Sequence, residues 1–323
     1  MTNNINDKPE GPSDAAEPPM TGEPADLQHC GIVAIIGRAN VGKSTLLNRI
    51  FEEKVSIVSD VAQTTRNVIR AILTDPRGQL VFLDTPGMHR AASDLGKIMN
   101  RMARQAIEGA DLVLLLLDTT TPPREEDEGW MRKLAKQDVP CIFALNKSDT
   151  GAPHGEAYRK MWVEISAAPP SPPAVEWLTT AGLTGQGVEE LLSRLFERVP
   201  AGPQLFPDDV LTDFPRRWNI GDIIREKLFG ELYEEIPHHV DVGISDIVEH
   251  DDRWEVYANI YVNRPSQKGI VIGHKGRILR KVRRLAEREL KEMYGLPVKL
   301  ELWVKVEKNW MKNFWILKEL GYQ

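Results

Sequence analysis

Gly37-Arg38-Ala39-Asn40-Val41-Gly42-Lys43-Ser44 decides the reading of this chain. It has the spacing G-x-x-x-x-G-K-[ST], and it stands between an apolar run at residues 32–36 and a helical pattern opening at Thr45. Glycine at both ends lets the backbone turn consecutive N–H groups toward one point, as the oxygens of a phosphate require. The helix N-terminus adds partial positive charge at the same place. Lys43 is placed to reach β- and γ-phosphates, and the Ser44 hydroxyl to ligate magnesium.

The same strand-then-helix unit recurs outward from this loop. Apolar runs at residues 32–36, 68–73, 80–83, 112–117, 139–145 and 175–178 alternate with amphipathic stretches. Continuous Val/Ile/Leu runs between helical patterns predict strands buried on both faces, hence a mostly parallel, doubly wound α/β sheet of the P-loop NTPase type. At 323 residues the chain has room for two domains. Residues 200–217, with Pro200, Pro203, Pro207 and Pro215 among acidic residues, read as a linker. A helix near 220–229 follows, then strands near 240–249 and 254–262, a Gly-punctuated turn at 273–276, a basic helix to about Met293, a strand at 298–306 and a closing helix. The expected organisation is a disordered acidic tail at 1–28, a nucleotide domain at 29–199, the linker, and an α+β domain at 218–323.

Three more motifs bear on the nucleotide. Asn146-Lys147-Ser148-Asp149 resembles the N-K-x-D guanine-specificity element of GTPases. A carboxylate accepts hydrogen bonds from both N1–H and the 2-amino group of guanine; adenine offers no such pair and would leave Asp149 unpaired. Asp84-Thr85-Pro86-Gly87 matches D-x-x-G, in which Asp84 holds magnesium through water and the Gly87 N–H senses the γ-phosphate. Between the phosphate loop and this element lies Ala62-Gln63-Thr64-Thr65-Arg66-Asn67. Its resemblance to the T-T-R and V-T-R-D forms of bacterial GTPases selects Thr65 as the second magnesium ligand, with Thr64 the alternative.

A fifth element has a decoy. Ile165-Ser166-Ala167 looks like the usual S-A-[KL], but it runs into Ala168-Pro169-Pro170-Ser171-Pro172-Pro173. Ala181-Gly182-Leu183 ends an apolar run and precedes Gly185-Gln186-Gly187-Val188, so the element is assigned there, with the Gly182 N–H directed to guanine O6. For hydrolysis, Met88 stands where Ras-like enzymes carry the glutamine that orients water, which predicts a slow intrinsic rate. In related bacterial GTPases with a G-R-x-N-V-G-K-S loop, the asparagine helps bind a potassium ion that replaces an arginine finger. That resemblance implies the same for Asn40; the plain alternative is that Asn40 merely tolerates left-handed backbone.

Composition excludes several classes. The longest apolar run, residues 112–117, is far short of the ~20 residues of a membrane helix. Cys30 and Cys141 sit in or beside apolar runs and read as reduced core residues, and no Cys/His cluster has zinc spacing. The first 27 residues hold six acidic side chains and one base, Lys8, opposite to an organelle transit peptide, so a cytoplasmic location is expected. The net charge of −6 hides an asymmetry: residues 264–312 carry fourteen Lys or Arg against five Glu. Such a segment on an acidic chain predicts a localised polyanion-binding face.

Within that segment, Gly273-His274-Lys275-Gly276 follows two strand patterns, is flanked by Ile272 and by Arg277 and Ile278, and precedes Arg280, Lys281, Arg283 and Arg284. A G-x-x-G loop between two helices characterises KH domains, where it clamps the backbone of about four nucleotides. Ile278, Val282, Leu285 and Ala286 recur at helical spacing and are assigned to the core. Contacts with RNA then fall to Ile272, Gly273, His274, Lys275, Gly276, Arg277, Arg280, Lys281 and Arg284; the plain alternative is a merely solvated basic face.

Taken together, these motifs resemble the Era family, bacterial GTPases with a type II KH domain. Asp222-Ile223-Ile224-Arg225-Glu226-Lys227-Leu228 and Leu302-Trp303-Val304-Lys305-Val306 are similar in order and spacing, and the resemblance runs from Gly31 to about Tyr322. It implies a GTP-hydrolysing monomer that uses Mg2+, binds near the 3′ end of 16S rRNA and takes part in assembly of the small ribosomal subunit. The departures are Ala62, His274, the altered fifth element and the proline-rich insert. The competing reading gives the basic C-terminal half a protein or an anionic membrane surface as partner, a peripheral association that would have no use for the G-x-x-G loop.

Overall fold

The structure is a computed structural model that describes residues 28–59, 61, 64–87, 94–167, 174–233 and 236–322. Met88, the insert at 168–173 and all but the last residue of the expected acidic tail lie outside them. The first layer pattern comprises β1 (His29–Ile36), α1 (Lys43–Phe51), β2 (Ile69–Asp75), β3 (Gly78–Asp84), α2 (Asp94–Glu108), β4 (Leu112–Asp118), α3 (Glu125–Leu134), β5 (Cys141–Asn146), α4 (Gly155–Ser166), β6 (Val175–Thr179) and α5 (Val188–Arg198). Among the described residues these strands form one sheet in the order β2-β3-β1-β4-β5-β6. Only β2 runs antiparallel to its neighbour.

Helices cover both faces. Leu46, Leu47 and Ile50 of α1 and Leu191, Leu195 and Phe196 of α5 pack on one side. On the other, Ala103 and Ile107 of α2, Trp130 and Met131 of α3, and Tyr158 and Trp162 of α4 meet the odd residues of β4. Every residue of β4 is buried, which is why that strand reads as an unbroken apolar run rather than an alternating one. Burial of each such side chain stabilises the fold by roughly 1.5–3 kcal/mol. Cys30 and Cys141 are both buried free thiols, as expected of core residues.

The second pattern is α6 (Arg216–Phe229), β7 (Val240–Glu249), β8 (Trp254–Val262), α7 (Pro265–Ile272), α8 (Arg277–Tyr294), β9 (Val298–Val306) and α9 (Phe314–Glu319). β8 is central, antiparallel to β7 and parallel to β9. The order helix–strand–strand–helix–helix–strand is that expected of a type II KH fold. On α8, Val282, Ala286 and Leu290 are buried at four-residue spacing, Ile278, Leu279, Met293 and Tyr294 pack half-buried on the same core, and Leu285, expected in the core, is half-buried.

The expected linker is corrected in two respects. Arg216 and Arg217 belong to α6. The rest is strapped along the edge of the first sheet. The Ile72 N–H donates to the Leu211 carbonyl oxygen at 2.8 Å. Gln79 accepts from the N–H groups of Leu205 and Phe206, both at 2.9 Å. A β2 edge left bare would present unpaired backbone groups, and this strap satisfies part of them.

Candidate functional site

The C-terminal ends of β1, β3 and β5 open on one cavity of about 470 Å³. Its floor is the loop from β1 into α1. Gly42 (φ 97°) caps α1 in a left-handed conformation, and a Cβ there would meet Asn146 Nδ2 at 2.6 Å. Asn40 is also left-handed, at φ 62°. Lys43 lies over the loop and donates to the carbonyl oxygens of Arg38 (3.1 Å) and Gly37 (3.3 Å). Burial lowers its ammonium pKa to about 8, against an opposing pull from Asp84.

Beside Lys43 three oxygens converge. The Ser44 hydroxyl donates to Asp84 Oδ2 at 2.8 Å and lies 3.0 Å from Thr65 Oγ1. Ser56 also donates to Asp84 Oδ2 at 2.8 Å. Asp84 is fully buried, which raises its carboxyl pKa against the pull of Lys43, and its Oδ1 has no hydrogen-bond partner. An orphaned buried carboxylate oxygen beside two hydroxyls suits a hard cation such as Mg2+, which takes oxygen ligands and retains several waters. Among the described residues no group of three or more His, Cys, Asp or Glu could hold a metal, so such an ion would draw further ligands from phosphate and water. Thr64 turns the other way and donates to the Val61 carbonyl oxygen at 2.5 Å. Gly87 ends the D-x-x-G turn against the floor: a Cβ there would fall 2.7 Å from Ala39 Cα.

At the far end, Asn146 ties three segments together. Its Nδ2 donates to the Val41 carbonyl oxygen at 2.8 Å, and its Oδ1 accepts from Thr180 Oγ1 (3.2 Å) and the Gly182 N–H (3.0 Å). Lys147 crosses back to the Asn40 carbonyl oxygen (2.8 Å) and Asp118 Oδ2 (3.0 Å). Asp149 is exposed on the cavity wall beside Leu183.

Several side chains at the expected positions face away from the cavity. Arg38 points away from the cavity to Asp118 (3.2 Å), Asp127 (3.3 Å) and Thr121 (2.6 Å). Thr85 donates to the Ile35 carbonyl oxygen at 2.7 Å, a buried brace between β1 and the turn after β3. Gly37, Val41, Pro86, Ser148 and Ala181 shape the loops without forming the cavity wall. The Gly182 N–H, expected to face guanine O6, is engaged by Asn146, a correction that follows from the loop folding onto the N-K-x-D turn. The decoy Ser166 sits at the end of α4 and donates to Val163. Ile57, Val58, Ser59 and Thr150 also line the cavity; none is a motif position, though Thr150 directly follows Asp149.

The second candidate site lies on the other fold unit. Gly273 (φ 71°), Lys275 (φ 49°) and Gly276 (φ 74°) all take positive φ in the turn between α7 and α8. A Cβ on Gly273 would fall 2.7 Å from Ile278 Cγ1. Arg277, Arg280, Lys281, Arg283 and Arg284 rim a shallow groove along α8, with Lys281 paired to Glu231 at 2.5 Å. His274 and Lys275 are exposed at its head, and Ile272 is half-buried against the core.

Residues 32–147 match a family described as 50S ribosome-binding GTPase, and residues 235–311 match the KH domain family. The GTPase Era of Geotalea uraniireducens is 42% identical over 294 residues, covering 91% of this chain and 97% of that protein. The chain belongs to the Era family of GTPases. Era of Lacticaseibacillus paracasei is 38% identical over 300 residues, 91% of this chain and 97% of its own. Among solved structures, a single-residue variant of Aquifex aeolicus Era bound to GDP·AlF4− superposes with TM-score 0.83 at 35% identity, covering 91% of this chain and 99% of that one. An Era in complex with MgGDPNP and nucleotides 1506–1542 of 16S ribosomal RNA gives TM-score 0.82, again at 35% identity and with the same coverage. As an Era-family GTPase, this chain joins GTP hydrolysis and an RNA-binding KH fold.

Proposed function

We propose that this chain is a GTP-dependent switch that grips the 3′ region of 16S rRNA and assists assembly of the small ribosomal subunit. The observation that carries the reading is the joint presence of a phosphate cavity and a glycine turn heading a basic groove in one chain. The Era structure holding both MgGDPNP and 16S rRNA supports it.

In this reading the N–H groups of residues 37–45 cradle the phosphates, Lys43 neutralises developing charge on the β/γ bridge, and Asp149 reads the guanine edge. Ser44, Thr65 and Asp84 would hold magnesium, which supplies charge neutralisation at the β- and γ-oxygens when bound. Thr65 takes this role rather than Thr64 because its hydroxyl lies 3.0 Å from Ser44 Oγ. The Gly87 N–H faces the γ-phosphate. Met88 cannot orient water, so intrinsic turnover is slow, and Asn40 on the cavity wall is the residue through which potassium would accelerate it. Hydrolysis unchanged when potassium is replaced by sodium removes the potassium part alone.

The KH turn approaches the sugar–phosphate chain through Gly273 and Gly276, while Arg277, Arg280, Lys281 and Arg284 supply salt-dependent attraction. The test is GTP hydrolysis with and without a short RNA matching the small-subunit 3′ terminus, in potassium buffer, beside a Gly273→Asp/Gly276→Asp double variant. Stimulation that the double variant loses supports the switch. GTP binding with no response to RNA in binding or rate leaves a GTPase and removes the RNA-linked function. The chain is expected to act as a cytoplasmic monomer; among the described residues no helix is long and apolar enough to cross a membrane.

A further inference from the structure

The segment leading to Thr65 is tied at its start to α1 and β3, where Asn48 pairs with the backbone of Val55 and Ser56 and Ser56 donates to Asp84, and beyond that point the KH half holds it. Ile57 is 3% exposed and sits in the apolar core of the KH half, among residues of α6, β7 and α8. Next to it, the Val58 N–H donates to Glu226 Oε1 on α6 at 3.0 Å, and Lys54 pairs with Glu226 (2.6 Å) and Glu289 (2.5 Å). At the other end of the segment, Arg66 is 1% exposed. Its guanidinium donates to Asp241 Oδ2 (2.6 Å) and to the carbonyl oxygens of Val240 (2.9 Å) and Pro237 (3.1 Å). Arg225 of α6 donates to the Thr64 carbonyl oxygen at 3.0 Å and to Asp241 Oδ1 at 3.0 Å. Tyr322 donates to Asp241 Oδ2 at 2.6 Å.

An apolar anchor at Ile57 and a charged anchor at Arg66 thus bracket the threonine whose hydroxyl lies beside Ser44. We infer that Asp241 and Arg225 of the KH half are positioning residues for the GTP site, holding Thr65 in register through Arg66 and the Thr64 carbonyl. The inference rests on the reading of Thr65 as a residue of the GTP-bound site. The physical reason is geometric: a loop held at Ile57, Val58, Thr64 and Arg66 by another fold unit takes its register from that unit, and a buried guanidinium keeps its carboxylate because an unpaired charge there is costly. The P-loop and Asn146–Asp149 do not depend on this bracket, so loss of it should separate GTP from GDP.

The test uses the full chain with Asp241→Asn, Arg225→Lys and Thr65→Ala, measuring affinity for a non-hydrolysable GTP analogue and for GDP, both with Mg2+, together with kcat and KM. Asp241→Asn and Arg225→Lys are expected to weaken the GTP analogue and lower kcat by about tenfold or more, with GDP affinity within about twofold of the parent. Equal loss of GTP and GDP, or no loss of either, overturns the inference. If Thr65→Ala discriminates between the nucleotides while Asp241→Asn and Arg225→Lys do not, the positioning role fails and the reading of Thr65 survives. If Thr65→Ala itself does not discriminate, that reading fails first. Should Asp241→Asn not fold, Arg66→Lys, which keeps the charge and loses the forked contacts to Asp241, Val240 and Pro237, carries the same expectation and the same overturning result.

Discussion

Asn146 Nδ2 donates to the Val41 carbonyl oxygen across 105 residues of sequence, at 2.8 Å, and so locks the base-reading loop to the phosphate loop. The same side chain accepts from Thr180 and Gly182, so one amide joins three loops that carry opposite ends of the nucleotide. Replacing it by alanine leaves buried groups unpaired, at a cost of about 1–3 kcal/mol. Asn146→Ala should therefore lower GTP and GDP affinity by a similar factor, about tenfold or more, with a lower melting temperature. Titration with both nucleotides checks it; selective loss of one would show that the bridge does not act on the whole site.

Asp149 faces the cavity with an exposed carboxylate. An amide at this position offers a donor where guanine also offers one. Asp149→Asn should weaken GTP by about 100-fold, in keeping with the loss of charge-assisted hydrogen bonds, and strengthen binding of xanthosine triphosphate, whose 2-position is an acceptor. Competition between the two triphosphates measures it, and unchanged preference would mean another group reads the base.

Asp222 lies in the buried ion cluster with Arg225, at 2.8 Å. Burial pushes its carboxyl up from 3.8 to about 6, with Arg225 pulling the other way and Asp241 adding repulsion. Asp241 responds oppositely: burial alone would raise it, but Arg66 and Arg225 hold it below the usual carboxylate range. For Asp222 the folded value exceeds the unfolded one, so the native chain favours the protonated acid. Its ionisation costs stability progressively from about pH 4 to about pH 6, and the cost is complete above that, on the order of 2–3 kcal/mol at most. Asp222→Asn should then gain stability relative to the parent at pH 7.5 and lose that advantage at pH 4. Urea unfolding at both pH values decides it; a difference independent of pH would rule out this linkage.

Arg280 and Arg284 are exposed on the groove along α8. Each phosphate contact with a single strand contributes about 0.7 to the slope of log K against log salt. The Arg280→Ala/Arg284→Ala pair should reduce that slope by about 1–1.5 for RNA while leaving GTP affinity unchanged. An unaltered slope would assign the RNA backbone to another face.

Much of the site was readable because each motif is a local object. Gly42 needs its left-handed φ, Lys43 and Ser44 follow it at the head of α1, and Asn146 ends a buried strand; all three depend on neighbours within a few residues. The KH turn is legible for the same reason, since Gly273 and Gly276 take positive φ between two helices. Ile57 and Arg66 were not legible in this way. The T-T-R pattern includes Arg66, and Ile57 stands in the run Val55-Ser56-Ile57-Val58, but neither pattern shows the partners, which stand more than 150 positions away.

By itself the amino-acid sequence determined the alternating α/β order, the loops that meet phosphate and guanine, and the basic helix behind the glycine turn, because periodicity, glycine placement and charge act over short spans. Only the tertiary structure decided which way side chains near those motifs face: Arg38 outward to Asp118 and Asp127, Gly182 onto Asn146, residues 200–215 along the sheet edge, and Arg66 into the KH half. Arg38, Arg66 and the Gly182 N–H are buried polar groups that must find a partner wherever the fold supplies one, the backbone of 200–215 pairs with an open sheet edge, and the chain's linear order does not say where either lies.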